Sequence, residues 1–161
     1  MVQSTTANRI LVFAPHPDDD ILGCGGSIAR HVDEGAQIKI VYLTSGESGS
    51  LTVSKAELAG LREKEALAAA RVLGVNDTEF LRWPDGYLTI KPEYLIKLTS
   101  LIRAEKPHRI YLPHSQDLVP DHLVTHQLVV EAMRRSAGPW FQECSPGPWS
   151  VATALGYEIW S

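Results

Sequence analysis

The stretch Arg9-Ile10-Leu11-Val12-Phe13-Ala14-Pro15-His16-Pro17-Asp18-Asp19-Asp20-Ile21-Leu22 decides how the chain is read. Its first part is short, rich in β-formers and without polar alternation, the pattern of a strand buried on both faces. Beyond the acidic cluster, Ile21, Leu22, Ile28, Ala29 and Val32 recur at helical spacing. One imidazole and three carboxylates therefore stand where a strand ends and a helix begins. In open α/β sheets that carboxyl edge is where ligands bind. Pro15 and Pro17 stiffen the turn and keep it out of the ladder. A single aspartate at such a point is ordinarily a helix cap that complements the dipole. Three adjacent carboxylates repel one another, and a bound cation turns that repulsion into attraction.

The same strand-to-helix alternation runs through the chain. Strands are expected at 9–15, 37–44, 78–83, 108–112 and 152–160. Helices are expected at 21–34, 55–73, 92–104 and 122–135, the second stopped by Gly74. The turn Pro84-Asp85-Gly86 closes the third strand, and 136–150 is a loop heavy in Pro and Gly. This order predicts an α/β fold, a three-layer α/β/α Rossmann-like arrangement around a mostly parallel sheet. At 161 residues a single domain spanning 1–161 is expected.

Composition narrows the function classes. Hydrophobic residues make up 44% and charged residues 21%, an ordinary soluble balance. The net charge of −4 and the lack of a basic stripe argue against a nucleic-acid partner. There is no apolar run of about 18 residues, so no membrane span is expected. Residues 1–9 lack the basic-then-apolar pattern of a secretory leader. Cys24 and Cys144 fall in no disulfide or metal spacing, which predicts reduced thiols and a cytoplasmic location. Gly23-Cys24-Gly25-Gly26 falls short of a dinucleotide fingerprint, because Ile28 stands where the third glycine is needed. Small residues that let this helix approach the sheet explain it better.

A second cluster follows the fourth strand. His114, Asp117, Asp121, His122 and His126 lie within thirteen residues, on the same rim as His16. His16 and Asp19 are three apart across a tight turn and can face one ion. His122, near a helix start, can complete the set. Two imidazoles and one carboxylate suit Zn²⁺ and leave coordination positions for water, as in a catalytic site. His126, one turn further on, lacks an intervening Glu and reads as a surface or packing residue. His31 and His108 read as structural or solvent-facing.

His16-Pro17-Asp18-Asp19, with Gly25-Gly26 in the helix behind it, resembles the zinc-dependent de-N-acetylases of the LmbE-like, PIG-L-like group. The resemblance continues through Thr44–Gly49, Arg62 and Glu65, Leu73-Gly74-Val75, Trp83–Gly86, and Asp117 with Asp121-His122. It implies zinc at His16, Asp19 and His122, with Asp18 as the general base. Arg62 and Asp85 would contact sugar hydroxyls. The implied reaction removes the acetyl group from an N-acetylglucosamine-type substrate, releasing acetate and a free amine. Two other readings are a deacylase of another N-acyl amide and a metal- or ligand-binding protein without turnover.

Two departures stand out: Asp20 replaces the family's usual Glu, and Val119 replaces a His usual three residues before the last ligand. The general acid is then either His114, nearby on the same loop, or Asp18 once protonated. The chain also stops soon after a strand, with Trp160 near its end and no cover for that edge. Either a fragment lacking the family's C-terminal portion or a homo-oligomer burying the edge is expected.

Overall fold

A computed structural model describes residues 8–160. The expectation about a secretory leader concerns mainly residues outside that range. Nine elements alternate: β1 (Arg9–Ala14), α1 (Asp19–Asp33), β2 (Gln37–Tyr42), α2 (Lys55–Val72), β3 (Asp77–Phe80), α3 (Pro92–Glu105), β4 (Arg109–Pro113), α4 (Pro120–Ser136) and β5 (Thr153–Tyr157). The five strands form one sheet in the order β3-β2-β1-β4-β5, and every pairing is parallel. The α/β expectation is met.

Side-chain alternation along β1 separates two cores. Leu11 and Phe13 join a cluster with Leu98 and Ile102 of α3 and Leu128 and Val129 of α4. Ile10, Val12 and Ala14 face the other way, against Cys24 and Ile28 of α1 and Ala66 and Ala70 of α2. Both faces of β1 are covered, which is why its sequence is apolar without interruption. Burying a side chain such as Phe13 contributes about 2–3 kcal/mol. Helix α2 buries only alanines, so its outer face stays polar. Its first turn is capped by Ser54, whose hydroxyl accepts from the Glu57 amide at 3.3 Å.

The strand order places a topological switch point at β1. The chain leaves β1 toward β2 and β3, then crosses back to pair β4 on the other side. The loops after β1 and β4 diverge there, and their carboxyl ends flank the crevice in which doubly wound sheets bind ligands.

Several boundaries differ from expectation, each for a local reason. Helix α1 begins at Asp19, so Asp19 and Asp20 belong to its first turn rather than to the loop. β3 ends at Phe80 because Arg82 adopts a left-handed φ of 54°. The ladder still continues past the kink, with Leu81 donating to the Tyr42 carbonyl and Trp83 to that of Leu43, both at 2.8 Å. Helix α4 starts at Pro120, whose missing N–H costs nothing in a first turn, so Asp121 and His122 are both helical. β5 is shorter than expected, and Trp160 beyond it is exposed. Of the small residues in α1, Gly23 is the one that close packing requires: a Cβ there would strike the Tyr157 ring. His31 and His108 are structural: the Tyr111 hydroxyl donates to the buried His31 at 2.9 Å, and His108 accepts from the Arg9 amide.

Candidate metal centre and active site

The turn after β1 is built so that His16 and Asp19 face each other. The His16 carbonyl accepts from the amides of Asp18 and Asp19, at 3.0 and 3.3 Å. The His16 amide in turn donates to Asp19 Oδ2 at 2.9 Å. Pro15 anchors the turn to the exit of β2, its carbonyl accepting from the Thr44 amide and hydroxyl. Three donor atoms then converge from two elements. His16 Nδ1 lies 3.1 Å from Asp19 Oδ2, and His122 Nε2, arriving from α4, lies 3.3 Å from the same oxygen. Asp19 and His122 are buried and His16 nearly so. One donor atom from each residue lies within 4.8 Å of the others, a spacing that one metal ion can span.

Each imidazole is held from behind by carboxylate. His122 Nδ1 donates to Asp117 Oδ2 at 2.9 Å, and Asp117 Oδ1 is fixed by the Val119 amide. His16 Nε2 faces Asp121 Oδ2 at 3.3 Å and Asp85 Oδ1 at 3.2 Å. Such partners set the tautomer and aim the other nitrogen at a metal. His16, Asp85 and Asp121 also lie close enough to bracket an ion. Their oxygens, however, are already engaged. Asp121 accepts from the Gly86 and Leu88 amides, and Asp85 Oδ2 accepts from the Ser48 amide at 2.7 Å. We therefore read this second group as the support of His16.

Charge is concentrated here. Burial opposes protonation of His16, but the carboxylates of Asp121, Asp19 and Asp85 outweigh it and raise its pKa to about 11. His122 is raised in the same way, with Asp19 and Asp117 overcoming burial. Burial alone would raise Asp19, yet the two imidazoles bring it down to about 2. The surrounding carboxylates thus favour the protonated form of both imidazoles, a positive charge that a divalent ion would replace. The donor set fits a metal: two neutral nitrogens, one carboxylate and a supporting shell.

Asp18 stands apart from this set. It occupies the N-cap position of α1, yet its side chain caps nothing and is half exposed. Its Oδ2 accepts from Arg62 Nη2 at 3.0 Å. Burial is the largest influence on Asp18 and raises its pKa, with Arg62 opposing. Arg62 also donates to the Gly46 carbonyl at 3.2 Å, and a side chain on Gly46 would collide with the guanidinium. Asp85 is buried and turned toward His16 rather than lying open at the mouth. His114 lies at the exit of β4; its Nδ1 accepts from the Gln116 amide, so in the neutral ring Nε2 carries the proton. That Nε2 is buried and has no partner among the described residues. His126 is committed elsewhere, its Nδ1 donating to the Pro113 carbonyl at 2.8 Å.

Sequence reasoning missed the roles of Asp121 and Glu47. Asp121 joins the turn after β3 to His16, and Glu47 accepts from the Asp85 amide at 2.9 Å. The adjacency of Asp121 to His122 was a visible signal, but its partner His16 is 105 residues away.

The profile of the PIG-L family, GlcNAc-PI de-N-acetylase, matches residues 11–133. The 1D-myo-inositol 2-acetamido-2-deoxy-alpha-D-glucopyranoside deacetylase of Mycobacteroides abscessus is 33% identical over 160 residues, covering 82% of this chain and 57% of its own length. The diacetylchitobiose deacetylase of Thermococcus kodakarensis is 32% identical over 138 residues, covering 83% of this chain and 52% of its own. Among solved structures, the N,N'-diacetylchitobiose deacetylase of Pyrococcus horikoshii, complexed with an inhibitor, superposes with a TM-score of 0.90 at 31% identity. That match covers 96% of this chain and 61% of the other. The chain thus spans little more than half the length of these relatives. Parallel sheet, switch-point crevice, convergent His-Asp-His donors and profile agree, and the chain belongs to the PIG-L family of GlcNAc-PI de-N-acetylases.

Proposed function

We propose that the chain is a zinc-dependent hydrolase removing the acetyl group from an N-acetylglucosamine-type substrate, releasing acetate and a free amine. The observation that carries this reading is the pairing of a three-donor centre with an uncapping Asp18 carboxylate beside it, at the switch point of the sheet. The names of the three relatives given above, each a deacetylase of an acetamido sugar, support it. His16 Nδ1, Asp19 Oδ2 and His122 Nε2 would hold the ion. When bound, zinc supplies Lewis acidity that makes water more acidic and stabilises negative charge on the amide oxygen. Asp18 takes the proton from the attacking water; its raised pKa suits that task better than an ordinary aspartate's. Arg62 orients Asp18 and contacts the sugar hydroxyls, whereas Asp85, expected from the sequence to do the same, is turned inward and supports His16. His114 Nε2–H, unpartnered, is the proton source for the leaving nitrogen, with protonated Asp18 as the alternative. Asp117 and Asp121 keep the two imidazoles in register. We place the reaction in the cytoplasm.

The test is acetate release from a panel of N-acetylglucosamine conjugates with added zinc. Release from at least one conjugate, lost on chelation and restored by metal, is the expected result. Zinc-loaded protein that releases acetate from none of them, yet cleaves another N-acyl amide or nothing, overturns the reading.

A further inference from the structure

Two consecutive side chains of α2 reach the rim that carries the centre, and between them they bind the loops after β1, β2 and β3. Arg62 Nη2 takes the first loop, donating to Asp18 Oδ2 at 3.0 Å and to the Pro17 carbonyl at 3.4 Å. Arg62 Nη1 takes the second, at the Gly46 carbonyl. Glu63 binds the second and third loops together. Its Oε1 accepts from the hydroxyl of the buried Ser45 at 2.6 Å and from Arg82 Nε at 2.9 Å, and its Oε2 accepts from Arg82 Nη2 at 3.0 Å. The Arg82 guanidinium holds the Glu63 carboxyl below its usual range, so it is ionised at neutral pH.

Ser45 is the first of four consecutive residues that serve the site. The Gly46 carbonyl holds Arg62, at an approach that leaves no room for a side chain on Gly46. The Glu47 carboxylate accepts from the Asp85 amide, and the Ser48 amide donates to Asp85 Oδ2. Asp85 in turn backs His16. Segment 45–48 therefore sets two positions at once: where Arg62 holds Asp18, and where Asp85 stands behind His16.

Stability alone does not account for the Glu63–Arg82 pair. The Arg82 side chain is 68% exposed, so even a two-pronged pair is screened by water and contributes modestly. Arg82 also holds a left-handed φ of 54°, whose cost in a non-glycine residue is of the same size or larger. Strain kept at the edge of a reacting centre points to a role in that centre.

We infer that Glu63 is a positioning residue for the reaction: by fixing Ser45 and Arg82 it sets Arg62 against Asp18, and so the placement of Asp18 toward the attacking water. The inference rests on the deacetylase reading above. Misplacing such a group by about 1 Å costs up to about a hundredfold in rate.

The test uses zinc-loaded protein and the N-acetylglucosamine conjugate it cleaves fastest in the panel above. Glu63→Gln should lower kcat at least about tenfold while metal content and circular dichroism stay those of the wild type. Arg82→Gln breaks the same pair from its exposed side and should act in the same direction, which keeps the test open should Glu63→Gln fail to fold. In an Arg62→Lys background, Glu63→Gln should add less than about twofold, because both act on Asp18 through one guanidinium. The Arg62 Nε–H signal in a 15N NMR spectrum, identified by its loss in Arg62→Lys, should shift in both glutamine variants; a purely stabilising pair would leave it in place. A kcat within about twofold of wild type in both variants, an Arg62 signal that neither moves, or an undiminished loss in the Arg62→Lys background overturns the inference and leaves the deacetylase reading standing. Wild-type protein that releases no acetate from any conjugate overturns that reading instead, and the Arg62 signal still decides whether Glu63 holds the guanidinium in place.

Discussion

At the scale of single residues, the three adjacent aspartates do three different things. Asp19 offers one of the three donor atoms of the candidate metal centre, and two imidazoles pull its pKa down. Asp18 is a carboxylate beside that centre. The Asp18→Asn variant should keep its metal and lose at least about a hundredfold in turnover, because only the proton acceptor is removed. Asp19→Asn should lose metal affinity; metal analysis of both proteins separates the roles, and equal metal loss in the two would mean they are divided wrongly. Asp20 is buried, accepts from the Tyr42 hydroxyl at 2.8 Å, and is raised by burial from its ordinary 3.8 to about 6. A folded-state pKa above the unfolded value means that ionising Asp20 costs stability as pH rises from about 4 to about 6, and that the cost persists above. Asp20→Asn should therefore stabilise the chelated protein by up to about 3 kcal/mol at pH 7, with no gain below pH 4. Denaturant unfolding at the two pH values checks this; a gain that is the same at both would show that the charge is not the cause.

At the scale of elements, the connection from α4 to β5 has almost no secondary structure, and α3 holds it by one side chain. Arg103, in the last turn of α3, is buried and donates to six backbone carbonyls, those of Arg135, Ser136, Gly138, Trp140, Phe141 and Cys144. A planar fork with five N–H groups serves such a set, Nη2 sharing its two N–H groups among three carbonyls; an ammonium cannot reach it. Arg103→Met should cost at least about 3 kcal/mol by leaving carbonyls buried without donors. Arg103→Lys should recover less than half of that. Unfolding in urea measures both, and a loss under about 1 kcal/mol for the methionine variant would show that water replaces the guanidinium.

At the scale of the whole molecule, the centre joins parts distant in the chain. His16 and Asp19 come from the β1–α1 turn, His122 from α4, and the supporting Asp85 from the loop after β3. An ion that binds only when these meet stabilises the fold through its binding free energy. At a hundredfold excess over Kd the gain is about 2.7 kcal/mol. Chelation should then lower Tm by roughly 5–10 °C. The Tm of His122→Ala should not respond to chelator. An unchanged wild-type Tm in protein first shown to be loaded would separate the ion from the fold.

Legibility follows the range of the interaction that carries each feature. The strand 9–14, the acidic turn and the helix behind it depend on neighbours a few residues apart, and periodicity alone revealed them; parallel order and the shared rim follow from the alternation of elements. His16, Asp19 and His122 were legible as residue types at the ends of strands, and their convergence on one oxygen agrees with that reading. Asp121 as the partner of His16, Asp85 turned inward, the six carbonyls of Arg103 and the kink at Arg82 were not legible. Each depends on which backbone groups become buried and in need of a partner, and no local pattern encodes that. It is decided only when distant segments pack, because a polar group taken from water must find its hydrogen bonds among whatever the fold has brought beside it.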